Sequence, residues 1–137
     1  MSDRYWLMKS EPESYGWDGL VKEGGTVWDG VRNHRAKMNL KAMKAGELAF
    51  FYHSVMGKEI VGIVEIVRAG MSDPKDETGT WAAVEIAPVR ELERPVTLAE
   101  IKAEPALKDI ELIRQSRLSV AEIRSDEWKR ILEMAKA

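Results

Sequence analysis

The sequence predicts one α+β domain, in which short helices flank a mostly antiparallel sheet that curls toward a small barrel. Three observations predict it. The chain has 137 residues, a length that suits one domain rather than two. Four or five short apolar runs have the composition of strands, and short amphipathic segments lie between them. Strands interspersed with short helices, with one hairpin among them, are typical of this class.

The first strands are marked by apolar and aromatic runs. Residues 4–8 predict an opening strand, because they are rich in aromatic and apolar side chains, and Pro12 shortly after them marks its end. Residues 47–53 and 59–68 predict a hairpin joined by a five-residue loop that contains Gly57.

The second hairpin strand is apolar almost throughout, which is typical of a central strand covered on both faces. Gly62 within it indicates either a close approach of another group to the backbone or a bend. A polar turn over residues 72–79 leads to a predicted strand over residues 80–89. Residues 117–120 predict the last strand.

Four segments have the apolar spacing of helices. The first begins at Trp17 and ends before Gly24, and the second covers residues 32–44. A capping box at residues 97–100 predicts a short third helix. Ser125 is placed to cap a C-terminal helix with one apolar face.

Composition excludes several kinds of site. The chain has no cysteine, which excludes disulfides, thiolate metal sites and cysteine nucleophiles. It has two histidines and none of the phosphate-binding or dinucleotide-binding glycine motifs, so we expect no metal and no cofactor. No segment approaches the roughly 20 apolar residues of a membrane span, and we expect a cytoplasmic monomer without a membrane partner.

Charge is concentrated in one segment. Residues 31–46 carry five basic residues and no acidic one, and since the whole chain carries −2, the remainder carries −7. The overall charge argues against a broad, nonspecific nucleic-acid surface, because such binding grows with the number of phosphates neutralised. The segment therefore predicts a local basic patch.

Tryptophan is the most frequent aromatic residue, with five copies. The patterns around Trp6, Trp17, Trp81 and Trp128 predict core positions. Trp28 instead lies in a glycine-bearing segment that leads into the basic helix. An indole beside cations suits a nucleobase stacked next to its phosphate, and this interpretation is favoured over a core position for Trp28.

Polar residues follow two of the predicted strands. His53 and Ser54 are neighbours, and because neighbouring strand residues point to opposite faces, His53 does not serve as the base for Ser54. Either a ligand contact or a structural hydrogen bond explains His53 equally well. Lys9, Ser10 and Glu11 offer groups that could bind the edge of a heterocycle or move protons, or they form a solvated corner.

Four motifs together resemble the EVE domain family. They are residues 5–12, 28–33, 51–54 and 117–120, and the resemblance extends over about residues 5–134. It implies a PUA-like fold, a curled and mostly antiparallel pseudobarrel, with PUA, ASCH and YTH domains as relatives. It also implies recognition of modified bases in DNA or RNA. Ala121 and Glu122 depart from the Gln-Pro that family members commonly have there.

The resulting hypothesis is a non-catalytic reader that binds a modified base in DNA or RNA. The residues assigned to the base are Lys9, Ser10, Glu11, Trp28, Asn33, Tyr52, His53, Ser54, Leu118 and Ser119. Those assigned to phosphates are Arg32, Arg35, Lys37 and Arg117. One alternative is an amidohydrolase similar to ASCH enzymes, in which Lys9 and Glu11 carry protons on a modified nucleoside. Another is a protein-interaction module that uses the basic helix.

Overall fold

A mixed sheet of six strands organises the fold. The computed structural model describes residues 4–10, 15–54, 57–115 and 117–136. The strands are β1 (Tyr5–Ser10), β2 (Thr26–Trp28), β3 (Leu48–His53), β4 (Glu59–Ser72), β5 (Ala82–Thr97) and β6 (Val120–Ile123). Their order is β2-β5-β4-β3-β1-β6, and only the β1–β3 pair among these is parallel. The α+β class and the mostly antiparallel sheet are confirmed, but the sheet does not close within the described residues.

Short helices flank the sheet. They are α1 (Trp17–Glu23), α2 (His34–Ala42), α3 (Leu98–Ala103), α4 (Glu111–Arg114) and α5 (Ser125–Lys136), with a 3₁₀ turn at Pro105–Leu107. The predicted end of α1 is confirmed, because Gly24 adopts a left-handed φ of 78° there. The predicted capping box between Thr97 and Glu100 is also present. No helix in these described ranges is long and apolar enough to span a membrane.

Several strands differ from the sequence prediction. β4 and β5 extend to Ser72 and Thr97, beyond their predicted ends at residues 68 and 89. β2 was not predicted, because its three residues are too few to show a strand pattern, and they gain a strand conformation by pairing with β5. The last strand was predicted at residues 117–120 but lies at Val120–Ile123, antiparallel to β1. Leu118 lies in a turn, where its N–H donates to the carbonyl of Gln115, and its side chain is buried. The apolar residue at this position therefore reflects packing in the core rather than a strand.

The two faces of the sheet carry different layers. Trp6, Met8 and Phe51 lie in the core cluster that includes residues of α1 and α2. Leu7 and Phe50 belong to a second cluster with residues of α3 and α5. Because side chains alternate along a strand, neighbouring residues of β1 or β3 face different helical layers.

Glycine at position 62 lets α1 pack against the sheet. A Cβ atom built on Gly62 would lie 2.5 Å from Cη2 of Trp17, closer than real contacts allow. Of the two alternatives that the sequence left open for Gly62, the close approach is confirmed, and the group that approaches is the indole of Trp17.

Three of the four tryptophans assigned to the core are buried, namely Trp6, Trp17 and Trp128. The prediction for Trp81 is wrong. It lies just before β5 and is partly exposed, with the guanidinium carbon of Arg32 5.4 Å from its ring centre. Its indole therefore belongs to the basic surface of the protein.

Candidate nucleic-acid interface

A hollow of about 320 Å³ opens beside Trp28. Its lining residues are Ser10, Tyr15, Thr26, Val27, Trp28, Asp29 and Lys75. The volume lies near the lower end of the range of about 300–1,000 Å³ that is usual for small-ligand sites. Trp28 is only partly buried, and its ring packs edge-to-face on Phe51 with 6.0 Å between the ring centres. The core thus fixes the indole while part of it stays accessible.

Polar groups surround this hollow. The Asp29 carboxylate and the Lys75 ammonium form an ion pair of 3.3 Å at its rim. The Ser10 hydroxyl donates to the carbonyl oxygen of Tyr15 and keeps acceptor capacity. Burial and the Glu23 carboxylate raise the pKa of Tyr15 to about 12, so its hydroxyl is neutral at ordinary pH. Hydrogen-bond donors and acceptors are therefore both available next to the indole.

Asp73, which the sequence did not single out, holds the loop that follows Trp28. Its buried carboxylate accepts from the Gly30 N–H at 2.8 Å, from Arg32 Nη1 at 2.8 Å and from the Lys75 N–H at 2.7 Å. Burial acts to raise the pKa of Asp73, but these donors outweigh burial and lower the pKa. An aspartate directly before Pro74 indicates a turn, whereas its partners 41 and 43 residues away leave no signal in the sequence.

The basic surface beside this loop is organised around Trp81. Arg32, which was predicted to bind phosphate, forms an ion pair with the Asp73 carboxylate, and its guanidinium also lies over the indole of Trp81. The ammonium of Lys37 lies 5.2 Å from the centre of the same ring, and the ring of His34 lies 5.3 Å from it. Two cations are thus held side by side at the start of α2.

A second hollow, of about 330 Å³, is lined by arginines. The structure brings Arg35 and Arg117, both predicted to bind phosphate, together with Arg114, which was not predicted. Arg35 also forms an ion pair with Glu111. The first turn of α2 contains no acidic residue of its own, and Glu111 is the carboxylate that reaches Arg35 there. This arrangement suits a phosphate group.

Asn33 and His53 each carry a structural hydrogen bond. The side chain of Asn33 lines the arginine hollow but accepts from the Ala36 N–H at 2.9 Å, which caps α2. Nε2 of His53 accepts from the Trp17 N–H at 3.1 Å and so fixes the start of α1. Burial lowers the pKa of His53, despite the nearby carboxylates of Glu59 and Asp18. The neutral imidazole therefore carries its proton on Nδ1.

This hydrogen bond predicts a pH dependence of stability. Burial in the folded state holds the pKa of His53 below the ordinary value of 6.5. The contribution of the neutral imidazole to the free energy of unfolding is therefore complete above pH 6.5 and is lost as the pH falls through the folded-state pKa. The free energy of unfolding should therefore fall as the pH decreases below 6.5. In His53→Gln the amide oxygen can still accept from Trp17, and this part of the decrease should disappear. Denaturant titrations at several pH values measure it, with His34→Gln as control; equal pH slopes for wild type and His53→Gln would contradict the assignment.

Other predicted residues lie apart from Trp28. Lys9 and Tyr52 are register partners on the sheet face that packs against α3 and α5, and they line a third hollow with Ser54. Ser10 and His53 are partners on the opposite face. The alternation of side chains along β1 and β3 separates the two sets.

Two further predicted positions lie near the arginine hollow, and one lies outside the described residues. Leu118 lines that hollow, and the carbonyl of Ser119 accepts from the Lys9 N–H at 2.9 Å. Glu11, which the amidohydrolase hypothesis assigns as a proton carrier together with Lys9, lies outside the described residues. The structure therefore distributes nine of the predicted residues over three hollows rather than one, and Arg32, Lys37, His53 and Ser119 are not among the residues that line them.

Comparison with known proteins decides the family. The model of the EVE domain matches residues 4–134. The chain belongs to the EVE domain family. Human thymocyte nuclear protein 1 is 35% identical to it over 95% of this chain and 73% of the human protein.

Solved structures share the fold of this EVE domain. The NMR structure of Rpa0253 from Rhodopseudomonas palustris is 49% identical, with a TM-score of 0.93 over 97% of this chain and 93% of the other. The crystal structure of human THYN1 protein in complex with 5-methylcytosine-containing DNA is 32% identical, with a TM-score of 0.85 over 98% of both chains. An ASCH protein from Zymomonas mobilis, at 12% identity and a TM-score of 0.62, shares the fold alone. The PUA-like fold class is thus confirmed, with an open sheet.

Proposed function

We propose that this EVE domain is a reader that binds a modified base of DNA or RNA in the hollow beside Trp28. The observation that carries the proposal is a partly buried indole, fixed from behind by Phe51, that forms one wall of a hollow large enough for a single base. The crystal structure of human THYN1 protein with 5-methylcytosine-containing DNA supports the same class of ligand.

The hollow offers the contacts that an extruded base requires. Taking a base out of its stack costs a few kcal/mol, and least in a single strand. Stacking on Trp28 would return about 1–3 kcal/mol. The Asp29 carboxylate could accept from an exocyclic amine, and the Lys75 ammonium could donate to a ring nitrogen or carbonyl. Val27 offers an apolar contact for a methyl substituent.

The arginine hollow would hold the flanking backbone. Arg35, Arg114 and Arg117 could each approach a phosphate, and such contacts orient a strand without reading its sequence. Two to four neutralised phosphates would give a shallow salt dependence, with a log-log slope of about 0.7–0.9 per phosphate. Selectivity would then arise at Trp28 rather than on the basic surface.

A binding screen tests the proposal. Oligonucleotides that differ only in one base, with 5-methylcytosine against cytosine as the first pair, are titrated at several salt concentrations. We expect one modified base to bind more tightly than its parent, with the ratio unchanged by salt and both affinities falling with the shallow slope above. Equal affinity for every modified and parent base would contradict the reader proposal. Mass spectrometry of the same mixtures detects the amidohydrolase alternative, since a reader releases no altered base.

A further inference from the structure

A fourth hollow lies beside Trp81. It encloses about 220 Å³ between α2, the end of β4 and the start of β5. Its lining is mixed, because Leu40 and Met71 are apolar, whereas Lys41 and Ser72 contribute an ammonium and a hydroxyl group. The volume is below the range of about 300–1,000 Å³ that is usual for small-molecule sites. The hollow therefore suits one small planar group rather than a whole cofactor.

Part of the Trp81 indole faces this hollow. Trp81 is partly exposed and is one of the residues that line it. The guanidinium carbon of Arg32, the ring centre of His34 and the ammonium of Lys37 all lie within 5.4 Å of the centre of the indole ring. None of these three residues is among those that line the hollow. They therefore cover a part of the indole other than the part that faces the hollow.

The surroundings of the indole carry positive charge, although carboxylates offset part of it. Arg32 forms an ion pair of 2.8 Å with the buried Asp73, and the Asp76 carboxylate accepts from two backbone N–H groups of its own turn. Lys37 and Lys41 are one helical turn apart, so they lie on the same side of α2. Among the described residues, neither of these lysines forms an ion pair. Their charges are therefore available to a phosphate.

The turn formed by residues 73–81 connects this hollow to the one beside Trp28. The Asp73 N–H donates to the Trp81 carbonyl at 2.9 Å, and the Asp73 carboxylate accepts from the Gly30 N–H, two residues after Trp28. Lys75, which lines the Trp28 hollow, belongs to the same turn. One turn thus anchors both indole-bearing segments, and a strand that enters the Trp28 hollow can continue toward Trp81.

We propose that the hollow beside Trp81 is a second base site, which stacks an unmodified neighbour of the modified base in the same single strand. This inference rests on the function proposed for the Trp28 hollow and extends it. Every base has a π-face, so stacking on an indole tolerates any sequence. Lys37 and Lys41 hold the phosphates beside the stacked base, a contact that positions the strand without reading it. The second site therefore raises affinity, whereas selection for the modification remains at Trp28.

NMR of the indole N–H groups tests the second site. Short single strands of DNA are titrated into ¹⁵N-labelled protein, one with 5-methylcytosine and one with cytosine at the same position. The signals of Trp28 and Trp81 are assigned from the phenylalanine variants of these residues. We expect the Trp81 signal to shift saturably with both strands, because stacking there does not require the modification.

Abasic strands separate stacking from charge. In these strands each base beside the central one is removed in turn, while its phosphate is kept. Trp81→Ala should weaken binding of the intact strand about tenfold, the loss of one base–indole stack, and Trp81→Phe should retain most of the affinity. Removing one particular neighbouring base should weaken binding to the wild type by a similar factor and to Trp81→Ala no further. Circular dichroism checks that the variants are folded.

Lys37→Gln is the control for a purely electrostatic role. It should reduce the salt dependence of binding and leave the response to the abasic strands unchanged. An equal effect of Trp81→Ala on the intact strand and on every abasic strand would overturn the inference, because the indole would then act only through its cationic neighbours.

The outcomes also distinguish the second site from the Trp28 site. A Trp81 signal that stays in place while a strand shifts the Trp28 signal would overturn the second site alone. Absence of any shift of the Trp81 signal with both strands would overturn it as well. Equal affinity for every modified and parent strand would contradict the reader proposal, whereas a Trp81 signal that shifts with those strands would still support a base at Trp81.

Discussion

Trp28→Ala is expected to weaken binding of the preferred modified-base oligonucleotide by about tenfold to a hundredfold, the equivalent of losing one base–indole stack. The affinity for the parent oligonucleotide should fall less, because phosphate contacts dominate nonspecific binding. The variant should therefore lose selectivity as well as affinity. Titrations at one fixed salt concentration measure both quantities.

The matched control is Trp28→Phe, which keeps an aromatic face in the hollow. It should retain most of the selectivity. Because the Trp28 ring packs on Phe51, the alanine variant should also melt several degrees lower while remaining folded at room temperature. Unchanged selectivity in a folded Trp28→Ala variant would show that the indole does not contact the base.

Asp73→Ala is expected to lower the free energy of unfolding by roughly 3 kcal/mol. It removes the acceptor for the N–H groups of Gly30 and Lys75 and the partner of Arg32, in a site that is 1% exposed. Base binding should weaken too, since the loop after Trp28 loses its anchor. Chemical denaturation monitored by circular dichroism measures the stability.

Asp73→Asn is the graded control for this prediction. The amide oxygen can still accept from one backbone N–H, whereas the charge that pairs with Arg32 is gone. Its stability should therefore lie between wild type and Asp73→Ala. A stability equal to wild type in Asp73→Ala would show that the loop is held by other contacts.

Local signals explain which parts of the fold could be predicted. Gly24 and the Thr97–Glu100 capping box end and begin their helices through contacts within a few residues, so the sequence pattern is sufficient. β2 depends on pairing with β5 more than fifty residues away, and its three residues carry too little periodicity to be recognised. The position of Trp81 also depends on contacts that are distant in the sequence, since its cationic neighbours are Arg32 and Lys37, more than forty residues earlier in the chain.

In the candidate site, too, some residues could be predicted from local sequence, whereas others depend on contacts that are distant in the chain. Segment composition was enough to single out Trp28 and the basic residues near α2. The separation of Lys9 from Trp28 follows from strand alternation, yet it needs the β1–β3 register, which only the structure supplies. Asp73 could not be assigned from the sequence, because its role depends on a loop 41–43 residues earlier in the chain.

The proposed function requires the modified base to lie against the indole of Trp28. A crystal structure of this EVE domain with an oligonucleotide that contains the preferred modified base tests it most directly. The modified base should be extruded, stack on the indole and contact Asp29 or Lys75. A base that remains stacked in its strand, or that occupies another surface while the hollow stays empty, would contradict it.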